Sequence, residues 1–134
     1  MALLIFGLGF TYSQIENIPY SDLNTSCDFK SRPAKFIIEN QEEFKELSNC
    51  NLRFDFDKYI IIGVQGTSPG HFIPIIDFKI LKNDSFKKIV IEVTISGGKA
   101  CNCRVSKPFY RRILYIDKLE DNYEYEFNYI FAGD

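Results

Sequence analysis

The sequence predicts a mainly β domain of the α+β class, an antiparallel, curved sheet or small sandwich with one short α-helix. Three observations predict it. Apolar residues recur at every second position, most cleanly at Ile89, Ile91, Val93 and Ile95 and again at Tyr123, Tyr125, Phe127, Tyr129 and Phe131, the period of strands with one buried face. Clusters of Gly, Pro, Asn, Asp and Ser separate these runs at short intervals, as turns do. Only the stretch QEEFKELS combines helical spacing with a start signal.

At 134 residues the chain suits one domain, and a domain of that size removes roughly two-thirds of its unfolded surface from water. Hydrophobic residues make up 46% and aromatics 16%, with thirteen Phe and eight Tyr, a balance opposite to that of disordered chains. The formal charge of -2 speaks against a general nucleic-acid binder, which needs clustered cations to displace counterions from phosphates. No nucleic-acid partner is expected.

The first ten residues, MALLIFGLGF, form an apolar run of signal-peptide length, and Thr11 and Ser13 put small residues before a cleavage point ahead of Gln14. Residues 1–13 are therefore expected to be a signal peptide and residues 14–134 the domain. Such a run rises only about 15 Å as a helix, half the hydrocarbon thickness, so it predicts no transmembrane anchor. No Cys directly follows it, and lipid attachment is not expected. The expected location is secreted or periplasmic.

Residues 14–34 mix Asn, Ser, Asp and Pro and read as an extended leader with turns. Lys35 to Glu39 is a short strand, after which Asn40 stands as N-cap with Glu43 three residues on. The helix begins at Gln41 and ends near Ser48 or Asn49, with Phe44 and Leu47 on one face. The apolar run Tyr59 to Val64 predicts a strand buried on both faces, broken by glycines at 63, 66 and 70 into a loop over residues 65–70. His71 to Leu81 is extended, with Pro74 at an edge or bulge. A turn at residues 82–85 leads to the alternating segment ending at Ile95, and Gly97-Gly98 suggests positive φ angles turning into a strand over residues 100–105. Phe109 to Ile116, a turn at residues 120–122 and the aromatic stripe from Tyr123 complete an antiparallel meander.

Four cysteines fit an oxidising compartment and permit three complete pairings. Cys101 and Cys103 share a strand face about 7 Å apart, the far limit for a bond between them. A link from Cys27 or Cys50 to this pair would tie the N-terminal half to the late strands and stabilise by roughly 2 to 4 kcal/mol.

The order of strand, helix, long strand, hairpin, Gly-containing turn and final aromatic strand resembles small exported bacterial proteins with a PrcB-like C-terminal domain, PrcB being a subunit of a secreted protease complex. The resemblance spans about residues 35–131. It is carried by the helix start Asn40-Gln41-Glu42-Glu43-Phe44, by Asp55-Phe56-Asp57-Lys58-Tyr59 entering a strand, and by Ile116-Asp117-Lys118-Leu119 before the last one. It implies a secreted accessory or binding domain, with no catalytic residues to carry over.

Several residues invite chemistry of their own. Cys101-Asn102-Cys103 beside Lys99 and Arg104 could form a low-pKa redox pair, but redox dithiols open helices, and this pair follows a Gly-Gly turn, which favours a structural bridge. His71 is the single histidine; no four-ligand metal set and no oriented Cys-His pair can be assembled around it, so no metal, cofactor or catalytic residue is predicted. The aromatic stripe offers a sugar-stacking platform or, more simply, a core face. Lys99, Arg104, Lys107, Arg111 and Arg112 form a basic stretch that either meets acids on adjacent strands or steers an acidic partner. The resulting expectation is a binding or accessory module. Its loops, at Gln65, Thr67, Ser68 and His71 and at Lys99, Asn102 and Arg104, would meet a protein partner in the cell envelope. A thiol-disulfide enzyme using Cys101 and Cys103 and a carbohydrate-binding module are the rivals.

Overall fold

The computed structural model describes residues 15–25, 27–50, 52–68, 70–98, 107–120 and 122–132. In chain order these form β1 (Ile15–Asn17), β2 (Ser21–Asp22), β3 (Lys35–Ile38), α1 (Gln41–Leu47), β4 (Tyr59–Thr67), β5 (Ile75–Asn83), β6 (Lys88–Ser96), β7 (Phe109–Asp117) and β8 (Glu124–Phe131). The strands make two four-stranded sheets, ordered β1-β5-β6-β8 and β2-β7-β4-β3. Among the described residues the chain is mainly β with one short helix, as its pattern predicts.

Alternation places the core between the sheets. Ile76, Phe78 and Ile80 of β5 and Ile89, Ile91, Val93 and Ile95 of β6 meet Ile60, Ile62 and Val64 of β4 and Leu114 and Ile116 of β7. Each such side chain gains about 1.5 to 3 kcal/mol by leaving water. The opposite face of the second sheet is not left wet. Ile61 and Ile113 project there with Phe36 and Ile38 of β3 into a second cluster that Phe29 and Phe44 cover, so α1 and residues 27–34 form a third layer. This is why Tyr59 to Val64 reads as a continuous apolar run.

The helix begins as its sequence dictates. The Asn40 side chain accepts from the Glu43 N–H at 2.9 Å, and the Glu43 carboxylate accepts from the Glu39 N–H at 2.8 Å. After the helix, an antiparallel bridge pairs Phe29 with Ser48. Two residues outward on each side, Cys27 and Cys50 stand opposite one another and are joined as a disulfide, with Cα atoms 5.1 Å apart. The bond thus staples the N-terminal segment to the helix end, and not to the late strands. Cys101 and Cys103 lie outside the described residues, as does the strand expected over residues 100–105.

Three expectations need correction. β4 does not stop at its glycines but runs through Gly63 and Gly66 to Thr67. Each glycine lies under a ring from the neighbouring strand: a Cβ at Gly63 would sit 2.3 Å from Phe36 Cζ, and one at Gly66 would sit 2.9 Å from the Tyr110 hydroxyl. No described glycine has positive φ. Gly98 is needed for close approach instead, since a Cβ there would come within 1.9 Å of the Ile73 carbonyl oxygen. Finally, β8 runs parallel to β6, not as the next strand of a meander. The chain leaves the first sheet after β6, pairs β7 with β4 antiparallel in the second sheet, and returns, so β8 approaches β6 from the same end.

Two outcomes follow. Gly63→Ala forces the buried Phe36 ring, stacked on Phe29 at 5.9 Å between centroids, out of place and is expected to cost about 1 to 3 kcal/mol in urea unfolding; Phe36→Leu in the same chain should recover part of that loss. Replacing both Cys27 and Cys50 by Ser frees a loop closed across 23 residues of sequence and is expected to lower the unfolding free energy by roughly 3 kcal/mol.

Candidate binding surface at one pole of the sandwich

Strand register brings Thr67 beside Phe109, Ile75 beside Ser96 and Ile95 beside Phe131. Arg112 donates from Nη1 to the Ile76 carbonyl, joining the two sheets near the same end. This pole carries the loop candidates identified from sequence, and the structure sorts them. Thr67 and His71 are exposed. Lys99, Asn102 and Arg104 lie outside the described residues.

Gln65 and Ser68 are not surface residues, each being 1% exposed. Gln65 ends the buried part of β4 and acts as a polar post beneath residues 30–34. Its amide nitrogen donates to the carbonyls of Lys30 at 2.6 Å and Pro33 at 2.9 Å, and its oxygen accepts from Arg111 Nε at 2.7 Å. Arg111 also donates from Nη2 to the Phe29 carbonyl at 2.8 Å. Among the described residues no buried side-chain nitrogen or oxygen lacks a partner, which is the condition for a polar group to be tolerated there. Ser68 donates its N–H to the Pro108 carbonyl at 2.7 Å, and its hydroxyl accepts from the Gly70 N–H at 3.3 Å. Both residues shape the pole from within.

The basic stretch divides in the same way. Arg111 and Arg112 are sequence neighbours on a strand and point to opposite faces. Arg111 lies over the Phe109 and Phe29 rings, at 5.2 and 6.0 Å from their centroids. Arg112 binds Asp22 Oδ1 from Nη2 at 2.7 Å and lies 5.4 Å from the Phe78 centroid. The two arginines are internal ties and make no shared cationic face.

What sequence reasoning missed is apolar. Five large hydrophobic side chains are exposed at this pole: Ile73 at 56%, Ile75 at 51%, Phe109 at 48%, Ile130 at 41% and Phe131 at 66%. The only others among the described residues are Ile15, Leu52 and Phe86, so exposure is concentrated here. Parity held a partial signal, since Ile75 and Ile130 occupy the solvent-facing positions of alternating strands. Exposed apolar clusters of this kind mark contact surfaces.

At the opposite pole a groove runs between α1 and residues 53–57. Its wall includes Lys45, Arg53 and Lys118 against Glu39, Asp55 and Asp57, with the Phe54 ring, charges of both signs that give it no net preference. Gln41 holds it open in one shape, donating to the Leu52 carbonyl at 3.1 Å and accepting from the Phe54 N–H at 3.4 Å.

The aromatic stripe is mostly core. Tyr123, Tyr125, Phe127 and Tyr129 are half-buried against the inter-sheet cluster, while Phe131, expected among them, lies beyond the core edge in solvent. Burial, with the Glu39 charge second, pushes the Tyr125 phenol from 10.0 up to about 12. Burial also raises Tyr129, with Tyr110 contributing. A raised phenol means that the fold holds the neutral form more tightly than the unfolded chain does. Stability from Tyr125 is therefore complete below pH 10 and lost as pH rises through about 12. In urea titrations across that window, Tyr125→Phe is expected to flatten the alkaline decline; an unchanged slope would contradict this assignment.

Set against known proteins, no family model matches this chain, and neither a curated protein nor a solved structure matches it. Its function has to be read from the chemistry of its own surface.

Proposed function

We propose that the chain is an exported binding or accessory module that docks a protein partner of the cell envelope through the pole formed by Thr67, His71, Ile73, Ile75 and Phe109. The observation that carries this reading is the concentration of exposed apolar side chains there, beside polar loop residues on a rigid sandwich. Apolar anchors ringed by polar groups are what a protein interface uses, because burying the anchors supplies affinity while the rim supplies register. Export is supported by the apolar run at residues 1–10 and by the Cys27–Cys50 disulfide, a bond that persists in oxidising compartments. No helix among the described residues is long and apolar enough to cross a membrane.

The PrcB-like resemblance belongs to the same proposal. It rests on the capped helix start at Asn40 and on Asp55 to Tyr59 leading into the central strand. In the turn before that strand the Asp55 carbonyl accepts from the Lys58 and Tyr59 N–H groups, and its carboxylate accepts from the Asp57 N–H. These residues support a shared scaffold role and no chemistry.

The test compares the full chain with Ile75→Asp in crosslinking from the native envelope fraction. The wild-type chain is expected to capture one partner reproducibly, and the variant to lose most of that capture while melting at the same temperature, since Ile75 is half-exposed. Equal capture by both chains, or none by either, would overturn the reading.

A further inference from the structure

The four sheet edges are not alike. β1, β2 and β3 span three, two and four residues, lengths too short to recruit another strand. β8 spans eight residues, carries no Lys, Arg, Pro or Gly, and lies at the end of its sheet with no strand beyond it among the described residues. Long edges without prolines or bulges are pairing sites, and charges such as Glu124 and Glu126 on this one restrict the registers in which it can pair.

The backbone direction is determined by the inner neighbour. Glu124 donates its N–H to the Lys87 carbonyl and Ala132 donates to the Ile95 carbonyl. In a parallel pair successive residues point to opposite edges, so the even-numbered residues of β8 serve β6. The N–H and carbonyl groups of Tyr125, Phe127, Tyr129 and Phe131 therefore face outward, and no hydrogen bond to them is made by a described strand.

We propose that the occupant of this edge is a second copy of the chain, with the two β8 strands antiparallel about a two-fold axis at Phe127 and the two four-stranded sheets joined into one. The strand is self-complementary about that residue. Phe127 meets its own copy, Tyr125 meets Tyr129 and Tyr123 meets Phe131, so every outward-facing backbone group finds its counterpart and each contact on the inner face is an aromatic pair. On the outer face Glu126 meets Asn128 and Glu124 meets Ile130, so no carboxylate stands directly opposite another. An axis shifted to Glu126 would instead set two carboxylates against each other. The half-buried rings and the 66% exposed Phe131 are covered by this pairing. Ile130 and Phe131 also belong to the exposed pole, but the pairing runs along the β8 backbone, whereas the loop-pole reading is tested at Ile75 on β5.

Sedimentation equilibrium on the full chain, over a dilution series reaching about millimolar, tests it with two variants of one exposed position. Wild type is expected to show a reversible monomer–dimer equilibrium. Ile130→Glu places a carboxylate opposite Glu124 of the second copy twice and is expected to weaken Kd by about tenfold. Ile130→Lys places a cation there and is expected to tighten Kd by a similar factor, an effect that high salt removes. Neither should move the melting temperature by more than a few degrees, because Ile130 faces solvent. A wild-type chain that stays monomeric throughout, or a dimer whose Kd neither variant changes, would overturn the proposal. Because Ile75→Asp leaves β8 intact, loss of partner capture and loss of self-association are separately visible.

Discussion

Everything in this molecule is arranged around one strand that must be dry on both faces. β4 sends Ile60, Ile62 and Val64 to the inter-sheet core and Ile61 to the cluster beneath α1, so it can occupy only an interior place, with a strand on each side and a layer above and below. β7 and β3 satisfy its backbone on either side. The first sheet covers one face. The helix and the 27–34 segment cover the other.

A strand so enclosed has to make room for its neighbours. Gly63 and Gly66 do this, because each gives up its side-chain volume to a ring from an adjacent strand, so a residue type that weakens an isolated strand completes the packing of a buried one. Gln65 solves a second problem. Residues 30–34 pass over the end of β4, where the Gln65 backbone N–H bonds the Ala34 carbonyl, the Gln65 side-chain amide serves the carbonyls of Lys30 and Pro33, and the Arg111 guanidinium serves that of Phe29. Arg112, one residue on and facing the other way, performs a comparable service for Ile76 on the inner side. The Cys27–Cys50 bond then closes the third layer at its far margin, beyond the bridge between Phe29 and Ser48, the bond from Asp28 N–H to Asn49 and the contact of the Phe29 and Phe44 rings.

With polar groups of the interior absorbed in this way, the surface features that remain are those the fold has no use for. The exposed isoleucines and phenylalanines at the loop pole lie beyond the reach of either core, as does the outward edge of β8. A module that binds one partner at its pole and a second copy along its edge would use two surfaces that adjoin at Ile130 and Phe131 and separate at Ile73 and Ile75. The carboxylates of Glu124 and Glu126, which discourage indiscriminate pairing, are compatible with one antiparallel register.

Much of the architecture was legible because burial repeats along the chain. Period-two runs at 88–96 and 123–131, the continuous apolar run at 59–64 and the capping box at Asn40 and Glu43 each state a local requirement, and local requirements are met wherever the segment ends up. Pairing and direction are different in kind. Nothing between Ser96 and Glu124 records that β7 belongs to the other sheet, and from that one fact follow the parallel course of β8 and its place at an edge. The same holds for the cysteines, whose partners depended on which segments an Asn-capped helix brought side by side, and for Gln65, which looks like a loop residue until 30–34 is laid over it. Side-chain chemistry along the chain decided what would be strand, helix and core; contacts between residues distant in sequence decided which polar groups went inside and which apolar ones were left out.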